Sequence, residues 1–148
     1  MLRYLLDTNL LVYGFDSADP DKQKRALETV ERVGLGRSGA LPAQALAEFC
    51  RVAMGKLDPP LSPAETYRQV ELYELAFPVF ALTPAVVLEA IRGVRDHAFS
   101  YFDAQIWAVA RLNQIAIVLS EDFPTEATVE GVRFVNPLSE TFDLDTLG

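Results

Sequence analysis

The sequence predicts an α/β domain with a largely parallel sheet flanked by helices, and three observations support that prediction. Short apolar runs alternate with stretches of helical periodicity along the chain, the pattern of repeated strand–helix–strand units. Ile115-Ala116-Ile117-Val118-Leu119 is an unbroken apolar run and the clearest buried strand. Helix-start signals recur at Asp19-Pro20, Ser62-Pro63 and Thr83-Pro84. No repeat, low-complexity tract or Gly/Ser linker interrupts the pattern, so residues 1–148 read as a single domain.

Leu2 to Leu6 is the first strand, and Leu10, Leu11, Val12 and Phe15 mark a short helix after it. Asp19 is placed to cap a helix beginning at Pro20, whose fixed φ suits the first helical position. Ala26, Leu27, Val30 and Val33 form its apolar stripe, and Gly34 ends it. A brief strand around Gly39 to Leu41 leads into a helix from Pro42 to about Lys56, and Pro59-Pro60 breaks the chain. Ser62-Pro63-Ala64-Glu65 matches a capping box, in which serine and glutamate each satisfy a backbone N–H of the first turn. Val79 to Leu82 is a strand, Thr83-Pro84 opens a helix, and Ser100 or Tyr101 starts the next. After the strand ending at Leu119, Val132 to Val135 is the last, closed by Asn136-Pro137. The tail, residues 138–148, is either a docked peptide or a frayed end.

Half of the residues are hydrophobic and 23% are charged, a globular balance. No apolar run approaches the ~20 residues of a membrane span. Met1 to Leu6 is too short for a signal-peptide core, and no small-residue cleavage site follows it. Cys50, the single cysteine, cannot form an internal disulfide, which points to a reducing cytoplasm. It reads as a small buried hydrophobe on a helix. The net charge of −8 argues against a surface that grips nucleic acid everywhere. It does not argue against a nuclease, because bound cations reverse the local sign of a carboxylate cluster.

The informative residues are acids at positions that suit apolar side chains. Glu48 has Ala45 three positions before it, Val52 four after it and Phe49 beside it, which puts it on or at the edge of a core-facing stripe. Asp103 precedes Ile106, Trp107 and Ala110 at i+3, i+4 and i+7, again on the apolar face. Asp7 directly follows an apolar strand, and Asp122 follows one with only Ser120 and Glu121 between, where open α/β sheets place their ligand sites. Carboxylates withdrawn from water are costly, and crowded ones repel one another and hold raised pKa values. No Lys or Arg falls at a comparable inward position, so a hard divalent cation, Mg²⁺ or Mn²⁺, is the fitting remedy. Each acid also has a plainer reading. Asp7 and Asp122 suit caps, Asp103 suits a helix start, and Glu48 suits a half-exposed place beside Arg51. Four such placements together favour one metal site.

With these residues in this order, the chain resembles the PIN-domain family, and specifically the VapC-type toxins of bacterial toxin–antitoxin pairs. The resemblance rests on an apolar strand into Asp7-Thr8-Asn9, then Ala45-Leu46-Ala47-Glu48-Phe49 and Tyr101-Phe102-Asp103-Ala104-Gln105-Ile106. It continues with Leu119-Ser120-Glu121-Asp122-Phe123 and closes on Val132-Arg133-Phe134-Val135-Asn136-Pro137. It implies a PIN-like three-layer domain whose acidic quartet, Asp7, Glu48, Asp103 and Asp122, binds Mg²⁺ or Mn²⁺. Glu121 is an alternative fourth ligand. Asn9, and Ser120 where Thr is more frequent, are the small polar residues that orient the acids; Asn9 equally suits a cap of the first helix. The resemblance further implies a cytoplasmic endoribonuclease leaving 5′-phosphate and 3′-hydroxyl ends. It implies a homodimer, and a small antitoxin whose C-terminal peptide wraps the toxin and blocks the site.

His97 is the only histidine, so no imidazole pair exists for attack by the RNA 2′-hydroxyl. It reads as a surface or helix-end residue. Carboxylate-bound metals instead generate hydroxide and stabilise a leaving oxygen. Arg51, Arg92 and Arg95 are candidate phosphate contacts, against a default of solvated helix surface. Two rival functions differ in class. A haloacid-dehalogenase-like phosphatase with Asp7 as nucleophile wants a second aspartate where Asn9 stands. A catalytically silent PIN-fold binding module has no need of an intact quartet.

Overall fold

A computed structural model describes residues 1–124 and 127–148. The elements are β1 (Tyr4–Leu6), α1 (Thr8–Tyr13), α2 (Pro20–Leu35), β2 (Gly39–Pro42), α3 (Ala43–Gly55), α4 (Pro63–Ala76) and β3 (Val79–Phe80). They continue with α5 (Pro84–His97), α6 (Tyr101–Leu112), β4 (Ile117–Leu119), β5 (Thr128–Val129) and β6 (Val132–Val135). The sheet runs in the order β3-β2-β1-β4-β6-β5. Every neighbouring pair is parallel except β5 with β6.

Successive strand side chains point to opposite faces, and each face has its own core. Tyr4, Leu6, Leu41, Ile117, Leu119 and Val135 pack with Leu11, Val33, Phe49 and Tyr73 from α1 to α4. Leu5, Ala40, Val118 and Phe134 pack with Ala90, Ile106 and Trp107 from α5 and α6. The result is the expected three-layer α/β domain. From β1 the chain steps outward to β2 and β3, then returns to lay β4 on the other side of β1. The strand order therefore reverses between β1 and β4, and the carboxyl ends of those two strands flank a crevice.

The helix starts follow the local signals. Asp19 accepts the Lys22 N–H, Thr83 accepts the Val86 N–H, and Ser62 with Glu65 forms the complete capping box. Several boundaries differ from expectation: β1 begins at Tyr4 rather than Leu2, β3 stops at Phe80 rather than Leu82, and β4 begins at Ile117 rather than Ile115. α2 runs through Gly34 to Leu35 and is capped by Gly36, whose N–H donates to the Arg32 carbonyl. Pro42 ends β2 and precedes α3 instead of starting it. β5 was not expected. It pairs with β6 through a two-residue turn, Glu130-Gly131, whose φ values of 49° and 83° are both positive, as the twist of a tight hairpin demands. α5 and α6 approach closely at Gly93, where an added Cβ would lie 2.8 Å from the Trp107 ring.

The tail is docked. Leu138, Leu144 and Leu147 are buried in the α1–α4 core. Arg25 donates to the Pro137 carbonyl at 2.9 Å and the Phe142 carbonyl at 2.6 Å, and Arg32 pairs with Asp145 at 2.8 Å. Arg25→Ala should therefore cost about 2 kcal/mol, the scale of losing charge-assisted bonds to carbonyls. Denaturant unfolding would measure that cost, and limited proteolysis should show faster cleavage after Pro137. An unchanged cleavage pattern would mean that the three leucines hold the tail without Arg25. Among the described residues, no helix is long and apolar enough to cross a membrane.

Candidate active site

The site begins where β1 stops. Asp7 continues the strand by donating its N–H to the Leu119 carbonyl at 3.0 Å, then caps α1 by accepting the Thr8 N–H at 2.7 Å. Capping and site placement thus coexist in one residue. Ser120, the first residue past β4, donates its hydroxyl to Asp7 Oδ2 at 2.7 Å. The same Oγ accepts from Asn9 Nδ2 at 3.2 Å and from the Asp122 N–H at 3.1 Å. Asn9 Nδ2 also reaches Asp122 Oδ2 at 3.2 Å, so Asn9 and Ser120 join the two strand-end acids. Asn9 Oδ1 is buried and has no partner among the described residues.

Glu48 enters from α3. Its Oε2 accepts from Thr8 Oγ1 and its Oε1 from Gln44 Nε2, both at 3.0 Å. Asp103 lies half-buried in the first turn of α6. The two residues following β4's serine part company. Glu121 turns to α2 and pairs with Lys22 at 3.0 Å, while Asp122 stays with Asn9. Asp122 is thereby bonded toward the Asp7 side of the site and Glu121 toward α2, although the charge of Glu121 is still felt at Asp122. Lys22 reaches Glu121 from a partly exposed place on α2, where it also meets the Tyr13 hydroxyl at 3.5 Å.

Electrostatics show how closely these acids are grouped. Burial pushes Asp7 from its ordinary 3.8 up to about 6; the bonds from Ser120 and Thr8 oppose this, and the charges of Asp122 and Glu48 add to it. Asp122, at the open rim, is also raised. Partial withdrawal from water is the main cause, the Asn9 bond opposes it, and the charges of Asp103, Glu121 and Glu48 reinforce it. The fold therefore brings Asp7, Glu48, Asp103 and Asp122 to one end of the sheet.

They are not, however, gathered on a common point. Among the described residues, no group of three or more His, Cys, Asp or Glu side chains is arranged to hold a metal ion as it stands. Neutral donors occupy the carboxylates instead: Thr8 and Ser120 on Asp7, Thr8 and Gln44 on Glu48, Asn9 on Asp122. The donor chemistry still fits a hard cation. Every acid offers oxygen, and the unpartnered Asn9 Oδ1 adds a buried acceptor that lacks a positive group.

The PIN domain family model matches residues 4–123. The chain belongs to the PIN-domain family. No curated protein matches it in sequence. Among solved structures, a toxin–antitoxin complex from Klebsiella pneumoniae is similar with a TM-score of 0.64 and 18% identity, covering 90% of this chain and 97% of that one. A DNA-bound VapBC complex from Salmonella typhimurium has a TM-score of 0.64 and 17% identity, covering 93% and 99%. A sarcin–ricin loop-cleaving VapC toxin from Mycobacterium tuberculosis has a TM-score of 0.63 and 17% identity, covering 88% and 98%. At such identities the likeness is one of fold.

The arginines of this PIN domain are placed differently from one another. Arg92 is held in an ion-pair network by Glu89, Asp96 and Glu130, and Arg95 pairs with Asp96 at 2.7 Å. Arg92 thus shares its charge among three acids, while Arg95 stays largely exposed beside its single partner, close to the solvated helix surface taken as the default for both. Arg51 is exposed on α3, one turn beyond Glu48. His97, the last residue of α5, meets Glu130 at 2.6 Å and the Trp107 ring edge-on. Sequence reasoning overlooked Thr8, Gln44 and Gln105. Gln105 carried the same signal as the acids, a polar residue inside the apolar stretch of α6.

Proposed function

We propose that this PIN domain is a divalent-metal-dependent endoribonuclease, the toxin of a toxin–antitoxin pair. Asp7 carries the reading. It is a buried carboxylate at the β1–β4 reversal, raised to about 6, flanked by the charges of Glu48 and Asp122 and bonded to neutral donors only. A group of this kind calls for positive charge, and Asp7, Glu48, Asp103 and Asp122 would hold Mg²⁺ or Mn²⁺. When bound, such an ion supplies hydroxide from water at neutral pH and stabilises the leaving oxygen of an in-line displacement. The chain's own part is positional. Ser120 and the Thr8 N–H hold the two oxygens of Asp7, Asn9 orients Asp122, and Thr8 with Gln44 holds Glu48. Arg51, exposed on α3 one turn beyond Glu48, is the candidate phosphate contact of this reading.

The similar solved structures, toxin–antitoxin complexes and a toxin that cleaves the sarcin–ricin loop, support RNA as substrate and an antitoxin as partner. A homodimer and a cytoplasmic setting, which suits the free Cys50, complete the reading. The end groups of cleaved RNA test it. Cleavage in millimolar Mn²⁺ should leave 5′-phosphate and 3′-hydroxyl termini, with no 2′,3′-cyclic phosphate at any time point. Cyclic phosphate that needs both metal and Asp7 would overturn the water mechanism. Failure to cut any RNA, with Mn²⁺ still binding, would favour the silent binding module.

A further inference from the structure

We propose that Gln44 and Gln105 are positioning residues for Glu48, and that the direction of their amides controls how readily the acids take up a divalent cation; this rests on the nuclease reading above. Gln105 is 3% exposed and sits two residues after Asp103, with Ala104 and Ile106 to Ala110 buried around it. An unpartnered amide at such a place costs free energy that an aliphatic side chain would not. Among the described residues its Nε2 has one partner, Gln44 Oε1. Gln44, in the first turn of α3, uses its own Nε2 on Glu48 Oε1 at 3.0 Å and on the Phe102 carbonyl at 3.4 Å.

The donor and acceptor inventory leaves one arrangement. A carboxylate and a carbonyl only accept, so the nitrogen of Gln44 must face them. Its oxygen then faces Gln105, which must donate. Gln105 touches no acid, yet it fixes which end of Gln44 meets Glu48. A flipped Gln44 would set its oxygen against the carboxylate. The same bridge joins α3 to the first turn of α6 through Phe102, the neighbour of Asp103. Thr8, the neighbour of Asp7, holds the other oxygen of Glu48. Neutral donors therefore set Glu48 between two other acids without neutralising any of them, which leaves the negative charge available to a cation.

A Mn²⁺ titration of melting temperature on the full chain without RNA tests this, alongside cleavage kinetics. Gln105→Met and Gln44→Met should each raise the Mn²⁺ concentration for half the thermal response by about tenfold, the usual scale for residues that orient ligands. The double variant should shift no further than Gln44→Met, because Gln105 acts through Gln44. Gln105→Glu, which replaces a donor by an acceptor, should shift further than Gln105→Met. In cleavage, kcat should fall with little change in KM. Lower metal-free melting with an unchanged Mn²⁺ midpoint would overturn the proposal and leave only a tie between helices. Additive shifts in the double variant would also overturn it. Gln44 is half-buried, so Gln44→Met still tests its hold on Glu48 if Gln105→Met fails to fold, and Gln105→Asn, whose amide is one methylene shorter, then tests Gln105 by the same Mn²⁺ midpoint. A wild-type chain with no Mn²⁺ response would instead remove the nuclease reading, and this inference with it.

Discussion

Asp7→Asn is expected to abolish RNA cleavage and, without metal, to make the protein more stable at neutral pH. The folded carboxyl has a pKa of about 6 against an ordinary 3.8. A raised folded value contributes stability that is fully present below the unfolded pKa and is lost as pH rises through the folded one. The window for Asp7 therefore runs from about pH 4 to just above 6. Roughly two units at 1.36 kcal/mol each make the loss about 3 kcal/mol, an upper figure because the variant also alters the bond to Ser120. Asparagine still caps α1 and still accepts the Thr8 N–H, but it carries no charge to bury. Denaturant unfolding in EDTA from pH 4 to 8 should show wild-type stability falling across that window and a flatter profile for Asp7→Asn. In millimolar Mn²⁺ the order should reverse, because a ligand that binds only the folded wild type stabilises it by mass action. Should Asp7→Asn be the weaker protein at pH 7 in EDTA, the bonds from Ser120 and Thr8 outweigh the burial of charge. Retained cleavage would remove Asp7 from the chemistry.

Trp107→Ala should cost about 3–5 kcal/mol, the range for emptying a large core position. The indole is wholly buried, one turn after Asp103. Its ring meets Phe99 and His97 at 5.5 Å, lies 5.4 Å from the Arg92 guanidinium, and covers Gly93. Its N–H donates to the Val129 carbonyl at 3.1 Å, which ties β5 to α6. Alanine would remove the packing between α5 and α6 and leave that carbonyl without its donor. The midpoint in denaturant reports the loss. Trp107→Phe, which keeps one ring and forfeits the N–H and part of the indole volume, should cost less, about 2 kcal/mol. Equal losses in the two variants would place the energy in the Val129 bond rather than in packing.

Much of this was legible because the signals were local. The capping box at Ser62 and Glu65 and the proline at the start of α2 act within one turn, so they appear in the structure as they read in the chain. Glu48 and Asp103 were found because an acid on an apolar stripe departs from a short-range period. β5 escaped because two residues carry too little pattern, although Glu130-Gly131 had turn chemistry. The fate of the tail was open because its leucines bury only against α1 to α4, and Arg25 holds it from far along the chain.

What the sequence determined by itself was where most strands and helices lie, which faces of them are apolar, and which acids sit on apolar stripes or just past strand ends. Those properties depend on backbone propensity and side-chain period, which span a few residues. The tertiary structure alone decided that Glu121 pairs with Lys22 and Asp122 with Asn9. It also decided that Arg92 and Arg95 are held by acids of their own, and that Gln105 directs Gln44 toward Glu48. Most of these partners lie tens of residues apart, and only the reversal of strand order between β1 and β4 brings the acids' two strand ends together. Charge and hydrogen bonding act through space, so their partners are set by the packing of whole elements.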